Sequence, residues 1–223
     1  MYAGLMACVR ANGDISELFE CPTGVRQGCV LSPALFSLFI NEVANHINSH
    51  GVHGIQLLPN LLELLILLFA DDIALLSTTP GGLQVQLNLL KQCCNRLKLS
   101  VNEEKTKVMV FRKGGYLGQN EKWYYDGKAL EVVNKYCYLG YIFTTMLSFN
   151  IGTSTLVAKG KKAVYLLNRA FSNCKGMSAK TFFRVFDAKV QSILLYSSEI
   201  WGYEPIENVE KVHMIACKRY LGV

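Results

Sequence analysis

Residues 64–77 read LLILLFADDIALLS, and two aspartates, Asp71 and Asp72, interrupt an otherwise apolar run. Burying one unpaired carboxylate is costly, and burying two side by side is worse. On a regular strand neighbouring side chains point to opposite faces, so two adjacent aspartates share one site only where the backbone bends. The segment is too short and too apolar for an amphipathic helix. Its pattern predicts two buried strands meeting at a tight bend at or beside the acid pair. Close carboxylates repel by roughly 4 kcal/mol at 4 Å and intermediate dielectric. A divalent cation removes that repulsion, and aspartate oxygens suit hard Mg²⁺, which bridges to substrate phosphates. Two such ions clamp an in-line phosphoryl displacement. An ordinary surface turn is the alternative, because Asp is a common turn residue.

The run is not a membrane span. Between Glu63 and Asp71 it falls far short of the ~20 apolar residues that a spanning helix needs. With 223 residues and 51% apolar composition, the chain has enough material for a substantial core and does not read as disordered. Its cysteines form no C-x-x-C pair, which argues against zinc. The start, MYAGLMACVR, lacks a secretory signal pattern. The thiols, Cys174 among them, are therefore expected to be reduced and mostly core hydrophobes. The chain is expected to be intracellular, in cytoplasm or nucleus. Charge divides unevenly. Residues 1–90 carry two basic and seven acidic side chains, and residues 91–223 carry 21 basic and ten acidic, for a total of +6. This suits cation binding in one place and polyanion binding in another, although solvated lysines on helix surfaces account for it as well.

Local signals fill in the chain. Asn12-Gly13-Asp14 predicts a hairpin. Ser32 and Pro33 predict a helix start, with Ser32 as N-cap, and Phe36, Ile40, Val43 and Ile47 give that helix a buried face ending near residues 49–51. Residues 78–82 read as a loop. Leu83, Leu87, Leu90, Cys94 and Leu97 then predict a second helix with one apolar stripe. Alternation over residues 107–110 predicts a strand. Asp126-Gly127 predicts a hairpin, and KYCYLGYIF predicts a strand pair around Gly140. After Asn150 the pattern becomes helical, over roughly 154–172, 178–200 and 208–221, with edges uncertain by about 2–4 residues. The change near 150 marks the expected domain boundary, dividing 1–150 from 151–223.

Taken together and in order, these blocks resemble the reverse transcriptases of non-LTR (LINE-type) retrotransposons. FADDIALLS is similar to the Tyr-x-Asp-Asp box of that family, with Phe69 where tyrosine is more usual. GVRQGCVLSPALFSLFIN, residues 24–41, resembles the preceding block, and LSVNEEKTKVMVF, residues 99–111, the one after. YLGYIF resembles the primer-grip hairpin. LLYSSEIWGY and VEKVHMIACKRYLGV resemble the helical thumb and post-thumb. A lone acid pair is weak, but four ordered blocks and a matching tail are specific.

The resemblance implies an α+β fold: a right-hand polymerase palm, an antiparallel sheet with helices on one face, over 1–150, and an α-helical thumb over 151–223. It implies RNA-directed DNA polymerase chemistry, a nucleotidyl transfer with Mg²⁺ or Mn²⁺, and RNA template, DNA primer and dNTP as partners. Asp71 is the implied metal-ligating carboxylate and Asp72 its weaker partner. Arg26, Gln27 and Gly28 lie by implication near the incoming nucleotide and template. Lys105 matches a proposed general acid for the pyrophosphate leaving group, with Lys107 the competing choice. A solvent-facing lysine serves as an alternative for both, and a polar loop for the Val-Arg-Gln-Gly stretch. Tyr138, Leu139, Gly140 and Tyr141 shape the loop under the primer end, unless the tyrosines are plain strand core. Lys159, Lys161, Lys162, Arg169, Lys211, Lys218 and Arg219 track duplex phosphates.

The sequence also departs from the family pattern. A further aspartate, expected on a palm strand upstream of the Gly-Val-Arg-Gln block, has no match, since Asp14 sits in a hairpin turn. Fingers, nuclease domain and zinc knuckle have no match either. The two-metal clamp is thus expected to be incomplete and the chain inactive alone. Exposed apolar surface and an open strand edge are expected beside the acid hairpin. A noncatalytic nucleic-acid-binding remnant of a retrotransposon is the alternative from another functional class, and a fragment that does not fold is a third.

Overall fold

The computed structural model describes residues 4–58, 62–112, 114–115, 117–118, 121–172, 178–203 and 207–222. Cys174 lies outside them. In chain order the elements are β1 (Met6–Ala7), β2 (Arg10–Ala11), β3 (Asp14–Ile15), β4 (Phe19–Glu20), α1 (Ser32–Asn48), β5 (Ile55–Leu58), β6 (Leu62–Leu64), β7 (Ile66–Phe69), β8 (Asp72–Leu75) and α2 (Pro80–Leu97). After these come β9 (Lys107–Val108), β10 (Tyr124–Tyr125), β11 (Lys128–Ala129), β12 (Glu131–Val132), β13 (Lys135–Tyr138) and β14 (Tyr141–Thr144). The helical remainder is α3 (Asn150–Ser172), α4 (Ala179–Phe186), a π segment (Asp187–Gln191), α5 (Ser192–Leu194), α6 (Ser198–Trp201) and α7 (Glu207–Leu221).

The fold is α+β, with small sheets. Among the described residues the strands pair only two by two, in six antiparallel ribbons and one parallel one, β9 with β12. The larger antiparallel sheet that the resemblance implied is not seen among the described residues. Each strand is two to four residues long, so a ribbon offers few ladder bonds to a third strand. The chain divides into two compact units that interleave in sequence. One takes residues up to Thr106 together with Gly118–Leu130, and the other takes Lys107–Leu117 together with everything from Glu131 onward.

In the first unit, α1 packs on α2. The predicted stripes are in place: Ile40, Val43 and Ile47 on α1, and Leu87, Leu90 and Cys94 on α2, are buried. Leu89, Cys93 and Gln86 are buried too, so the covered face of α2 is wider than the stripe. Only Cys93 and Cys94 among the described cysteines are buried, and Cys8 and Cys137 are exposed, so most thiols are not core hydrophobes. Helix α2 starts three residues earlier than expected. Thr79 Oγ1 accepts from the Gly82 N–H at 3.1 Å and Pro80 opens the helix, which absorbs both glycines of the expected loop. Ser32, by contrast, is not an N-cap. It lies inside α1, and its hydroxyl donates to the Arg26 carbonyl.

Gln86 fastens strands to α2. Its Nε2 donates to Leu76 O at 2.9 Å, just past β8, and to His53 O at 3.4 Å, while its Oε1 has no partner among the described residues. The β10–β11 hairpin is fastened to the same helix. Gln84 Nε2 donates to Tyr124 O, and the Tyr124 N–H donates back to Gln84 Oε1, both at 2.9 Å. Trp123 Nε1 donates to Pro80 O at 2.9 Å, and Lys91 pairs with Asp126. Beneath them the buried Tyr125 hydroxyl hydrogen-bonds the Cys94 sulfur, and burial with this neighbour pushes the phenol up to about 12.

In the second unit, α3 begins at Asn150, four residues before its expected start, because the Thr153 N–H and hydroxyl both donate to Phe149 O. The helix predicted over 178–200 is broken. Ser178 caps α4, the π segment widens the following turn, and Ser197 at φ +55° ends the run before α6. One core joins Val157, Val164 and Leu167 of α3 to Phe182, Phe186, Val190, Leu194, Val212 and Ala216. A smaller one joins Tyr141, Leu156 and Trp201.

Two glycines test this packing. A Cβ on Gly152 would sit 2.4 Å from the ring of Tyr141, which is buried and has no room to give, whereas a Cβ on Gly81 in the first turn of α2 meets nothing within 4 Å. We expect Gly152→Ala to cost about 1–3 kcal/mol by overpacking. Gly81→Ala is expected to be stabilising by about 0.4–1 kcal/mol through the unfolded chain. Thermal unfolding of both variants measures this. A second test concerns pH. His46 Nε2 is buried without a partner among the described residues. Burial, then His50, then Arg96, lower its pKa below the usual 6.5. The unfolded chain therefore takes the proton first. Stability should be full above about 6.5 and decline as pH falls below it, until folded His46 itself titrates. Melting curves of the wild type and His46→Phe from neutral to mildly acid pH should diverge in that window, with the variant flatter.

Candidate active site

The acid pair lies on a hairpin. β7 and β8 pair antiparallel with Ile66 opposite Leu75, Leu67 opposite Ala74, Leu68 opposite Ile73 and Phe69 opposite Asp72. The loop is thus two residues, Ala70 and Asp71. Ala70 takes φ +51°, a conformation that L side chains rarely adopt but that two-residue hairpins require at their first loop position. Asp71 is at the turn and Asp72 opens β8, and both are exposed. The bend is where the sequence placed it. The strands are not buried as expected: along β7 and β8 residues are exposed or half-buried, with Phe69 61% exposed and Leu67 39%. Among the described residues no third strand pairs with this ribbon, so its edges are open, and Leu67 and Phe69 leave one face exposed. Its other side is held by α1 and α2, which contact β7 and β8 respectively.

Neither aspartate makes a side-chain hydrogen bond or ion pair among the described residues. Two exposed carboxylates without internal partners suit a hard divalent cation, which commonly takes one or two carboxylates and fills its remaining positions with water and phosphate oxygens. No group of three or more His, Cys, Asp or Glu residues able to hold a metal occurs among the described residues.

The other candidates of this unit sit on loops. Arg26, Gln27 and Gly28 are exposed in the segment before α1. Its shape is set by the Arg26 carbonyl, which accepts from the Cys29 N–H and the Ser32 hydroxyl, and Gly28 takes φ +80°. Lys105 is exposed in a turn built on Asn102, whose side chain accepts from the Lys105 N–H at 3.1 Å and whose carbonyl accepts from Thr106.

In the second unit, Lys107 is ion-paired with Glu131 across the parallel ribbon, Nζ to Oε2 2.7 Å. Tyr138 and Tyr141 face each other across the β13–β14 hairpin, whose turn is Leu139 at φ +46° and Gly140 at φ +84°. Tyr141 is buried against Gly152, with its ring edge-on to Phe143. Gly140 is exposed. Tyr196, part of the LLYSSEIWGY block but not singled out as a site residue, donates its hydroxyl to Leu139 O. A side chain 57 residues away has no local pattern to announce it.

Comparison with known proteins decides the family. The sequence model described as reverse transcriptase (RNA-dependent DNA polymerase) matches residues 2–143, which contain the acid hairpin and both flanking blocks. The chain belongs to the reverse transcriptase family. Among its relatives is the RNA-directed DNA polymerase from mobile element jockey of Drosophila funebris, 24% identical over 97% of this chain and 23% of the relative. Another is the probable RNA-directed DNA polymerase from transposon BS of Drosophila melanogaster, 27% identical over 94% of this chain and 23% of that protein. A putative uncharacterized transposon-derived protein of Caenorhabditis elegans is 27% identical over 70% of this chain and 56% of its own length. This chain therefore spans about a quarter of the length of the polymerases it matches. The kinship is with the LINE-type branch of reverse transcriptases. Among the described residues no helix is long and apolar enough to cross a membrane.

The left-handed residue at the acid turn of this reverse transcriptase hairpin gives a direct test. Ala70→Gly should be close to neutral, since relief of the positive φ offsets the added chain entropy. Ala70→Val should destabilise the hairpin by about 1–3 kcal/mol. Amide exchange over residues 66–75 in the two variants measures the difference.

Proposed function

We propose that this chain forms the C-terminal palm and helical thumb of a LINE-type reverse transcriptase whose full-length form copies RNA into DNA. The observation that carries this reading is the two-residue reversal at Ala70-Asp71, which sets two uncompensated carboxylates at an exposed tip within the family-matched region. Asp71 is the principal ligand for Mg²⁺ or Mn²⁺ and Asp72 its weaker partner. The ion, when bound, supplies charge neutralisation for the reacting phosphates and alignment of the attacking hydroxyl. Arg26, Gln27 and Gly28 border nucleotide and template. Lys105 protonates the leaving group in this reading, as its match to the family position implies, and Lys107, ion-paired with Glu131, is the competing choice. Tyr138, Leu139, Gly140 and Tyr141 lie under the primer end. The palm takes 1–150 and the thumb 151–223, although the hairpin of residues 135–144 packs within the same compact unit as the helices.

The exposed bases of α3 and α7 supply a polyanion-binding surface. Lys159, Lys161, Lys162 and Arg169 lie on α3, and Lys211, Lys218 and Arg219 on α7. These same residues favour the second reading, a nucleic-acid-binding remnant without catalysis. With no third metal-ligating side chain beside the acid pair among the described residues, this chain by itself is proposed not to polymerise.

Three measurements test the proposal. Mn²⁺ should broaden the amide signals of residues 70–73, and Asp71→Asn with Asp72→Asn should abolish the effect. Absence of broadening in the wild type removes the metal assignment. RNA–DNA duplex should bind with a steep loss of affinity as salt rises. On a primed RNA template with Mg²⁺ or Mn²⁺ the chain should give no extension, and extension above an Asp71→Asn control would show it to be a polymerase in its own right.

A further inference from the structure

The turn Leu139-Gly140 is held by a contact that its own hairpin does not supply. Tyr196, in the segment between α5 and α6, donates its hydroxyl to Leu139 O. Its ring lies along the adjacent glycine: a Cβ on Gly140 would meet Tyr196 Oη at 3.2 Å and Cε1 at 3.4 Å. Tyr196 is fixed in turn. Trp201 Nε1 donates to Tyr196 O at 2.9 Å, and the buried Trp201 shares a core with Tyr141, the first residue after the turn. Ser197, at φ +55°, reverses the chain directly beyond Tyr196. The contacts close a loop from the turn through Tyr196 and Trp201 back to the hairpin.

A two-residue turn with both residues at positive φ closes through its own backbone and needs no outside partner to form. Leu139 nonetheless sits in a conformation that a leucine seldom adopts, so the tip has a standing tendency to relax. A tyrosine that is 45% exposed, with water available to its hydroxyl, instead spends that hydroxyl on the turn carbonyl. The contact ties the turn carbonyl to a side chain outside its own hairpin. Its effect is to define where the tip points.

We propose that Tyr196 is a positioning residue that fixes the Leu139-Gly140 turn against the terminal backbone of a primer strand. The inference rests on assigning this hairpin to the primer end. The experiment uses the full chain and an RNA template–DNA primer duplex ending in 4-thiothymidine, irradiated at saturating duplex, with crosslinked peptides mapped and amide exchange followed in parallel. The wild type should crosslink within residues 138–141. Tyr196→Phe keeps the ring on Gly140 and loses only the hydroxyl. It should lower that yield threefold or more at unchanged duplex affinity, and speed exchange at Gly140 and Tyr141 by about fivefold, the loss of one net hydrogen bond. Tyr196→Ala should lower the yield further. A Tyr196→Phe chain that crosslinks like the wild type overturns the proposal while leaving the primer-end assignment standing. No wild-type crosslink at 138–141, even with faster exchange in Tyr196→Phe, overturns both.

Discussion

Two-stranded ribbons of two to four residues per strand do not hold their shape in water unaided. Every hairpin in this protein that carries a candidate functional residue is therefore only as well placed as the helix that grips it. In the first unit the grip includes directed polar contacts, Gln86 on the strand leaving the acid hairpin, and Gln84, Pro80 and Lys91 on the hairpin that returns at residues 124–129, over the buried Trp123 and Tyr125. In the second unit it is aromatic, with Tyr141 pressed on Gly152 and Trp201 behind it. Both arrangements leave the turns exposed and the roots fixed, which is what a site that meets a large, charged ligand requires.

The turns were the most legible part of the sequence. Asn12-Gly13, Asp126-Gly127 and the turn at Gly140 each reverse a hairpin, because residues that tolerate positive φ are few and their flanks alternate. The apolar stripes of α1 and α2 were legible for a similar reason, since burial imposes a period on the chain. What could not be read was how far the strands would join. LLILLF has the composition of a buried strand, but burial needs a neighbour, and composition does not say whether one is present. The break in the 178–200 helix was hidden as well. Ser197 at φ +55° follows directly on Tyr196, whose hydroxyl bonds Leu139 O 57 residues away, and no propensity encodes that contact. The site divides along the same line: the acid pair announced itself through its cost, whereas Tyr196 acts on a residue too distant in sequence to share a pattern with it.

Electrostatics and packing pull in one direction at the acid hairpin. The carboxylates have no partner within the described chain, and the tip is open to solvent, so their mutual repulsion is borne in water where it is weak. The same two charges become costly only when a ligand closes over them and expels water. The hairpin is consequently tolerable when empty and demanding when occupied.

Gln86 gives the first unit a mechanical property. It is wholly buried, one amide hydrogen bond reaches the carbonyl just past β8, and its oxygen has no partner among the described residues. A hydrocarbon there would have spared the desolvation of that oxygen but would have allowed β8 to slide along the helix. The amide instead ties the chain at two carbonyls, His53 and Leu76, to one helix, so the roots of the acid hairpin are fastened by direction as well as by distance while its carboxylates stand at the free end.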